Sequence, residues 1–201
     1  MYVIGLTGGI ACGKSTVSAA LRKEGAAIVD ADAIAHALSR PGGAVYEFYV
    51  QKFGAEILAA DGTLDRPAIA QRVFADPDVR NAVNARVHPL IRAAAMDEIA
   101  DARTAGHAAV LLDVPLLFEA GWHRLADESW VVSVPENVQL ARLMERDAAM
   151  SEEEARARIA AQMPLVEKCA LADVVIDNGG ARADTERRAR ELWRQRLASL
   201  S

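Results

Sequence analysis

The chain has 201 residues, a formal net charge of −5, 52% hydrophobic residues and 25% charged residues. That length suits one α/β domain with a small appended lobe, and that composition can bury a sizeable core. An acidic pI of about 5.4 and the lack of any basic stripe exclude nucleic acid as an expected partner.

The two cysteines, Cys12 and Cys169, form no CxxC pair and are too few for a disulfide framework, which points to a reducing cytoplasm. No charged leader precedes the first apolar run. The longest apolar run, 110–118, is broken by Asp113 and Pro115, so no membrane association is expected.

Residues 2–6 form a short apolar run that ends in Thr7-Gly8-Gly9, the pattern of a buried parallel strand. A helix is predicted over 14–24 and stops near Gly25. A second strand at 26–29 ends at Asp30-Ala31-Asp32, and a helix over 31–39 is broken by Pro41-Gly42-Gly43. From 44 to 105 no convincing strand appears. Helical stretches there alternate with turns expected at Asp61-Gly62, Asp76-Pro77 and His88-Pro89, and Asp65 followed by Pro67 marks a helix start.

Strands return at 108–113 and 129–134, followed by a helix at 135–146. Ser151-Glu152-Glu153-Glu154 fits a capping box that opens another helix, with Pro164 as its expected end. A last strand at 173–176 meets Asn178-Gly179-Gly180, and 182–200 forms a charged C-terminal helix. Strands alternating with helices predict a parallel sheet covered on both faces, with ligands beyond the carboxyl ends of its strands.

Gly8-Gly9-Ile10-Ala11-Cys12-Gly13-Lys14-Ser15 matches G-x-x-x-x-G-K-[ST] at every fixed position, between a predicted strand and a predicted helix. Such glycines let backbone N–H groups curl toward phosphate oxygens, and the helix dipole adds to the attraction. Lys14 is expected at the β- and γ-phosphates of a nucleoside triphosphate, and the Ser15 hydroxyl on Mg²⁺. Asp30 and Asp32 follow the second strand. One of them can cap the next helix; Asp32 is expected to act on a substrate hydroxyl, and Asp30 to have a local or a metal-linked role.

Asp113 reads as a Walker-B-like carboxylate, a substrate contact or a satisfied polar group at a strand end. Arg142 and Arg146 lie four apart on one helix face. They either neutralise a transferring phosphoryl group or face solvent with Glu145 and Asp147 as partners. His88 is a lone histidine, and no zinc-ligand spacing occurs.

Taken together, these residues resemble the bacterial dephospho-CoA kinase family almost end to end. The resemblance rests on Gly5 to Ile10, Gly13-Lys14-Ser15-Thr16, Asp30-Ala31-Asp32, Phe53-Gly54 and Asp61-Gly62-Thr63-Leu64 with Arg66. It continues through Val73-Phe74, His88-Pro89-Leu90-Ile91, Val114-Pro115-Leu116-Leu117, Arg146-Asp147, Gln162, Ala172-Asp173 and Asn178-Gly179-Gly180.

The resemblance implies an α/β P-loop kinase core, nucleoside-monophosphate-kinase-like, with a five-stranded parallel sheet. It places that core at 1–40, 106–141 and 169–201, a helical CoA-substrate insertion at 41–105 and a lid at 142–168. The implied reaction is ATP-dependent phosphorylation of the ribose 3′-hydroxyl of dephospho-CoA, with Asp32 as the catalytic aspartate. Lys14 and a lid arginine, Arg142 or Arg146, hold the phosphoryl charge. ATP and Mg²⁺ are the implied co-substrate and cofactor. Gly8 through Thr16 and, near the adenine, Asn178 and Gly179 would hold the nucleotide. His88, Pro115, Leu116 and Leu117 would lie toward the acceptor.

A monomer or weak homo-oligomer is expected. A kinase for a nucleoside or sugar is the nearest alternative. A GTPase switch lacks its Asn-Lys-x-Asp motif here, and a non-catalytic scaffold is disfavoured by Lys14, Ser15 and Asp32. The chain departs from the family at Ala11-Cys12, where Gly-Ser is usual. Ala11 lacks glycine's ease at positive φ, so backbone strain is expected. A Cys12 thiol beside a lysine at a helix N-terminus is expected to have a lowered pKa and oxidation-sensitive reactivity, against the plainer reading of a passive small side chain.

Overall fold

The structure, a computed structural model, describes residues 1–200. In chain order its elements are β1 (Tyr2–Gly8), α1 (Lys14–Lys23), β2 (Ala27–Asp30), α2 (Ala31–Leu38), α3 (Ala44–Phe53), α4 (Arg66–Ala75), α5 (Pro77–Thr104) and β3 (Ala109–Asp113). There follow β4 (Glu128–Ser133), α6 (Glu136–Arg146), α7 (Glu152–Ala160), α8 (Leu165–Leu171), β5 (Val174–Asp177) and α9 (Arg182–Ser199). The chain divides into two compact units, Met1–Val29 with Ala102–Ser201, and Asp30–Asp101. The second unit takes in α2, α3 and α4.

The five strands form one sheet in the order β2-β3-β1-β4-β5. β1 pairs in parallel with β3, setting Leu6 opposite Asp113, and with β4, setting Gly8 opposite Val132. β4 and β5 are parallel as well, with Ser133 opposite Asp177. β1 and β3 thus end side by side at the centre of the sheet. Their chains leave toward opposite edges, the arrangement that opens a ligand crevice.

β1 is almost wholly buried, as expected for a strand covered on both faces. Ile4, Leu6, Leu111, Trp130 and Ile176 of the strands pack with Val17 and Leu21 of α1 and Ala189 and Trp193 of α9. Each such large side chain contributes about 1.5–3 kcal/mol on burial. α1 and α9 pack together. Arg194 grips Glu24 through two hydrogen bonds of 2.9 Å each.

The second unit contains only helices, short turns and an isolated bridge between Leu58 and Leu64. Asp30 caps α2 by accepting from the N–H groups of Asp32 and Ala33. Asp65 caps α4, with Pro67 in the first turn where its missing N–H costs nothing.

Two expected boundaries need correction. His88-Pro89 makes no turn, since Pro89 lies inside the 28-residue α5. Proline removes one helical hydrogen bond, and the remaining turns carry the helix past it. Pro164 does not end the helix opened by Ser151, because α7 already stops at Ala160. Pro164 instead precedes α8, whose 7 residues are too few for a periodic signal. The capping box at Ser151 and Glu154 is present in both directions.

Asp173 joins the approach to β5 to β4. Its carboxylate accepts from the N–H and the hydroxyl of Ser129, at 2.7 Å each. Those bonds, the hydroxyl first, hold the carboxyl below the usual carboxylate range. A lowered folded pKa stabilises the protein above the unfolded pKa of about 3.9, and that contribution is lost as pH falls through the folded value. Thermal melts of wild type and Asp173→Asn should therefore differ most above about pH 5 and converge in acid. A gap that stays constant with pH refutes this role.

Candidate active site

The loop from Gly8 to Ser15 turns at the carboxyl end of β1. Gly13 enters α1 at φ 86°. A Cβ there would meet Asn178 Nδ2 at 2.1 Å, so the position demands glycine twice over. Ala11 adopts φ 60°, the sole positive-φ residue other than glycine among the described residues. The strain expected at this departure is present, of the order of 1–2 kcal/mol. Ile10 and Ala11 pack against the cluster of Leu143, Met150 and Ala155.

No side chain caps α1. The first N–H groups of a helix have no partner inside it, so an uncapped start offers them to an anion. Lys14 Nζ lies in this first turn and forms an ion pair with Asp113. Asp113 is 3% exposed, and Lys14 is partly open. A buried carboxylate thus aims a lysine whose other side remains accessible. Ser15, the next residue, is exposed. Among the described residues its hydroxyl has no hydrogen-bond partner, which leaves it free for a metal ion. No cluster of three or more His, Cys, Asp or Glu suited to a metal occurs among the described residues.

Four side chains hold the loop from outside. Gln139 of α6 donates to the Ile10 carbonyl at 2.9 Å, and Gln162 accepts from the Ile10 N–H at 2.9 Å. Asn178 donates to the Cys12 carbonyl at 2.8 Å and accepts from the Thr185 hydroxyl at 2.8 Å. Lys168 of α8 is fully buried. Its ammonium pairs with Glu119 at 2.8 Å and donates to the Pro115 carbonyl at 3.2 Å, with the Gly8 carbonyl at 3.5 Å.

Gln139 and Lys168 carried no signal in the sequence. A lysine on a short helix reads as solvated, and only the fold turns it inward. Gln162 was visible only through the family resemblance. Asn178 was expected near a base, and its amide is committed to the loop and α9.

The other expected residues divide between the two units. In the second unit, the Asp30 carboxylate is spent on its cap. Asp32 is exposed in the first turn of α2, and its carboxylate has no partner among the described residues. His88 is exposed on α5.

In the first unit, the Pro115 carbonyl also accepts from the Thr7 hydroxyl at 2.8 Å. Leu117 is wholly buried and Leu116 is 43% exposed, so of these two leucines only Leu116 presents a side chain outward. Gly179 donates its N–H to Asp177 at 2.7 Å, close to Pro135. Arg142 is half-buried and Arg146 exposed. Neither pairs with a carboxylate among the described residues, and Asp147 instead faces Arg158.

The arrangement can bind a phosphate chain on backbone N–H groups and a lysine. Residues 2–184 match the family model described as dephospho-CoA kinase. A dephospho-CoA kinase from Symbiobacterium thermophilum is 52% identical over 194 residues, 96% of this chain and 81% of the relative. A crystal structure from Thermus thermophilus superposes with a TM-score of 0.80 at 37% identity, covering 96% of this chain and 97% of that one. The structure of dephospho-CoA kinase from Campylobacter jejuni gives 0.75 at 27% identity, covering 99% and 98%.

Cys12 overturns the expectation of an activated thiol. Its side chain is wholly buried inside the loop. Burial pushes the thiol pKa up, and hydrogen bonds from the backbone at Gly9 and Val134 only partly oppose this. Cys169 is less buried. In native protein at about pH 8, a thiol reagent should modify Cys169 and reach Cys12 only on unfolding. Rapid labelling of Cys12 in a folded Cys169→Ser variant contradicts that assignment.

Proposed function

We propose that this chain, which belongs to the dephospho-CoA kinase family, works by in-line phosphoryl transfer from ATP, with Asp32 acting on the acceptor hydroxyl. The enzyme is a kinase. It carries out the ATP-dependent phosphorylation of dephospho-CoA in CoA biosynthesis. The observation that carries this reading is the uncapped start of α1, with Lys14 held beside it by Asp113. A nucleoside or sugar as acceptor finds no support among the relatives.

In the proposed mechanism the α- and β-phosphates lie on the loop's N–H groups and the N-terminal turn of α1. Lys14 reaches the β- and γ-phosphates on its open side. Ser15 is the protein ligand proposed for Mg²⁺, which would supply positive charge to offset that of the phosphates. Asp32 accepts or orients the ribose 3′-hydroxyl. Its free carboxylate supports this role, because Asp30 already fills the cap.

Arg142 and Arg146 are the cations proposed to meet the transferring phosphoryl group. Asn178 and Gly179 are proposed to lie near the adenine. His88 and the 115–117 segment, through the exposed Leu116, are proposed to lie toward the acceptor. The segment 142–168 acts as the lid, and 41–105 as the acceptor-binding insertion.

A cytoplasmic enzyme, monomeric or weakly self-associating and without a nucleic-acid partner, fits the acidic charge and the two free cysteines. No helix among the described residues is long and apolar enough to cross a membrane.

Little covalent chemistry falls to the protein in such a reaction, so positioning and charge dominate. Asp32→Asn should lower kcat roughly 10²–10⁴-fold while ATP binding is kept. A coupled ADP-release assay with dephospho-CoA, beside a nucleotide-binding titration, measures both. Turnover near wild type removes Asp32 from the chemistry.

A further inference from the structure

The fully buried Lys168 ammonium has no task in the phosphoryl transfer itself. Its surroundings give it another. The β1–β3 ladder ends where Leu6 faces Asp113, with the Val114 N–H on the Leu6 carbonyl at 2.9 Å. The next residue, Pro115, has no N–H to give. Thr7 and Gly8 continue alongside β4 only. The two central strands therefore part at this point, where the phosphate-binding loop begins.

Lys168 stands in the gap. Its Nζ donates to the Pro115 carbonyl at 3.2 Å, with the Gly8 carbonyl at 3.5 Å, so one ammonium holds the diverging chains after β3 and β1. The Thr7 hydroxyl closes the same junction by donating to the Pro115 carbonyl at 2.8 Å. Glu119 fixes the ammonium at 2.8 Å, and the same carboxylate oxygen accepts the Met163 N–H at 3.2 Å, just ahead of α8. A buried ammonium that lost such partners would be strongly destabilising, so its place is narrowly set.

The junction lies next to the ion pair of the phosphate site. Asp113, two residues before Pro115, pairs with Lys14, six residues after Gly8. That pair spans the two chain ends that Lys168 ties together. A shift of Pro115 relative to Gly8 reaches the Asp113 carboxylate, and through it the direction of Lys14 Nζ.

We propose that Lys168 is a positioning residue for phosphoryl transfer: by tying Gly8 to Pro115 it holds Asp113 where it aims Lys14. The proposal rests on Lys14 meeting the β- and γ-phosphates of ATP, as in the proposed mechanism. Lys168 acts only through protein groups.

The test is a double-mutant cycle, read by steady-state kinetics with ATP and dephospho-CoA. It compares wild type, Lys168→Met, Asp113→Asn and the double variant, with Lys14→Met as a reference. Lys168→Met removes the donors and keeps an unbranched side chain. It should lower kcat about 10²-fold, the scale of a misplacement of about 1 Å, with the acceptor KM within about threefold. In the Asp113→Asn background the same change should cost kcat no more than about threefold, because the ion pair it serves is already lost. Thr7→Val removes only the second donor on the Pro115 carbonyl. It should lower kcat about fivefold, and leave the kcat of Asp113→Asn unaltered.

A lysine with a merely structural role predicts losses that multiply across the cycle, and that outcome overturns the proposal. An unchanged kcat in Lys168→Met overturns it too, as does an effect confined to the acceptor KM. If Lys168→Met fails to fold, Thr7→Val decides: no loss of kcat, or an equal loss in both backgrounds, is again fatal. Near wild-type turnover by Lys14→Met, or a wild type inactive on dephospho-CoA, removes the mechanistic reading and this one with it. A Lys14→Met variant without turnover, beside losses that multiply, sinks the positioning role alone.

Discussion

The start of α1 has to stay uncapped, and much of the first unit is arranged around that constraint. A helix of this kind would ordinarily draw a serine or aspartate onto its free N–H groups. Here Gly13 precedes it in a left-handed conformation and provides no side chain. The loop gives up the local bonds that would fix it, so the fixing comes from elsewhere. Gln139, Gln162, Asn178 and Lys168 reach it from α6, from the turn after α7, from the end of β5 and from α8. Three of the four bind its carbonyls and so do not compete for its N–H groups. Gln162 alone takes an N–H.

Charge is distributed by the same logic. Lys168 is buried with Glu119 as its counter-charge, because an unpaired ammonium in that position would cost several kcal/mol, on the order of 3–5. Lys14 has a buried carboxylate on one side and open space on the other. Asp30 is tied into a helix cap, and the Asp32 carboxylate has no partner among the described residues. In the second unit, Arg40 and Arg66 are exposed and make no ion pair among the described residues.

The departure at Ala11-Cys12 shows how context overrides local chemistry. Position beside a lysine at a helix start lowers a thiol's pKa when the sulfur faces solvent. The Cys12 sulfur faces inward, desolvation dominates, and the sign reverses. Ala11 shows the opposite outcome. Its positive φ was legible from the comparison with glycine alone, and the methyl group is retained in contact with the α6–α7 cluster. Pro89 and Pro164 mark a similar limit. Proline states that one N–H is missing, but whether a helix continues, stops or begins there depends on what else holds it.

From the sequence alone came the strand–loop–helix that binds triphosphate, the alternation that dictates a parallel sheet, the helical stretch after β2, the capping box at Ser151 and the family. Each is a local pattern, written in residues a few positions apart. The tertiary structure alone decided which strands are neighbours, and so that Asp113 of β3 lies against Lys14 of α1 across 99 positions of chain. It also decided that Lys168 points inward, that Asn178 serves the loop's backbone and that Cys12 is sealed. Those facts depend on burial and on contacts between distant segments, which no spacing of residues along a chain encodes.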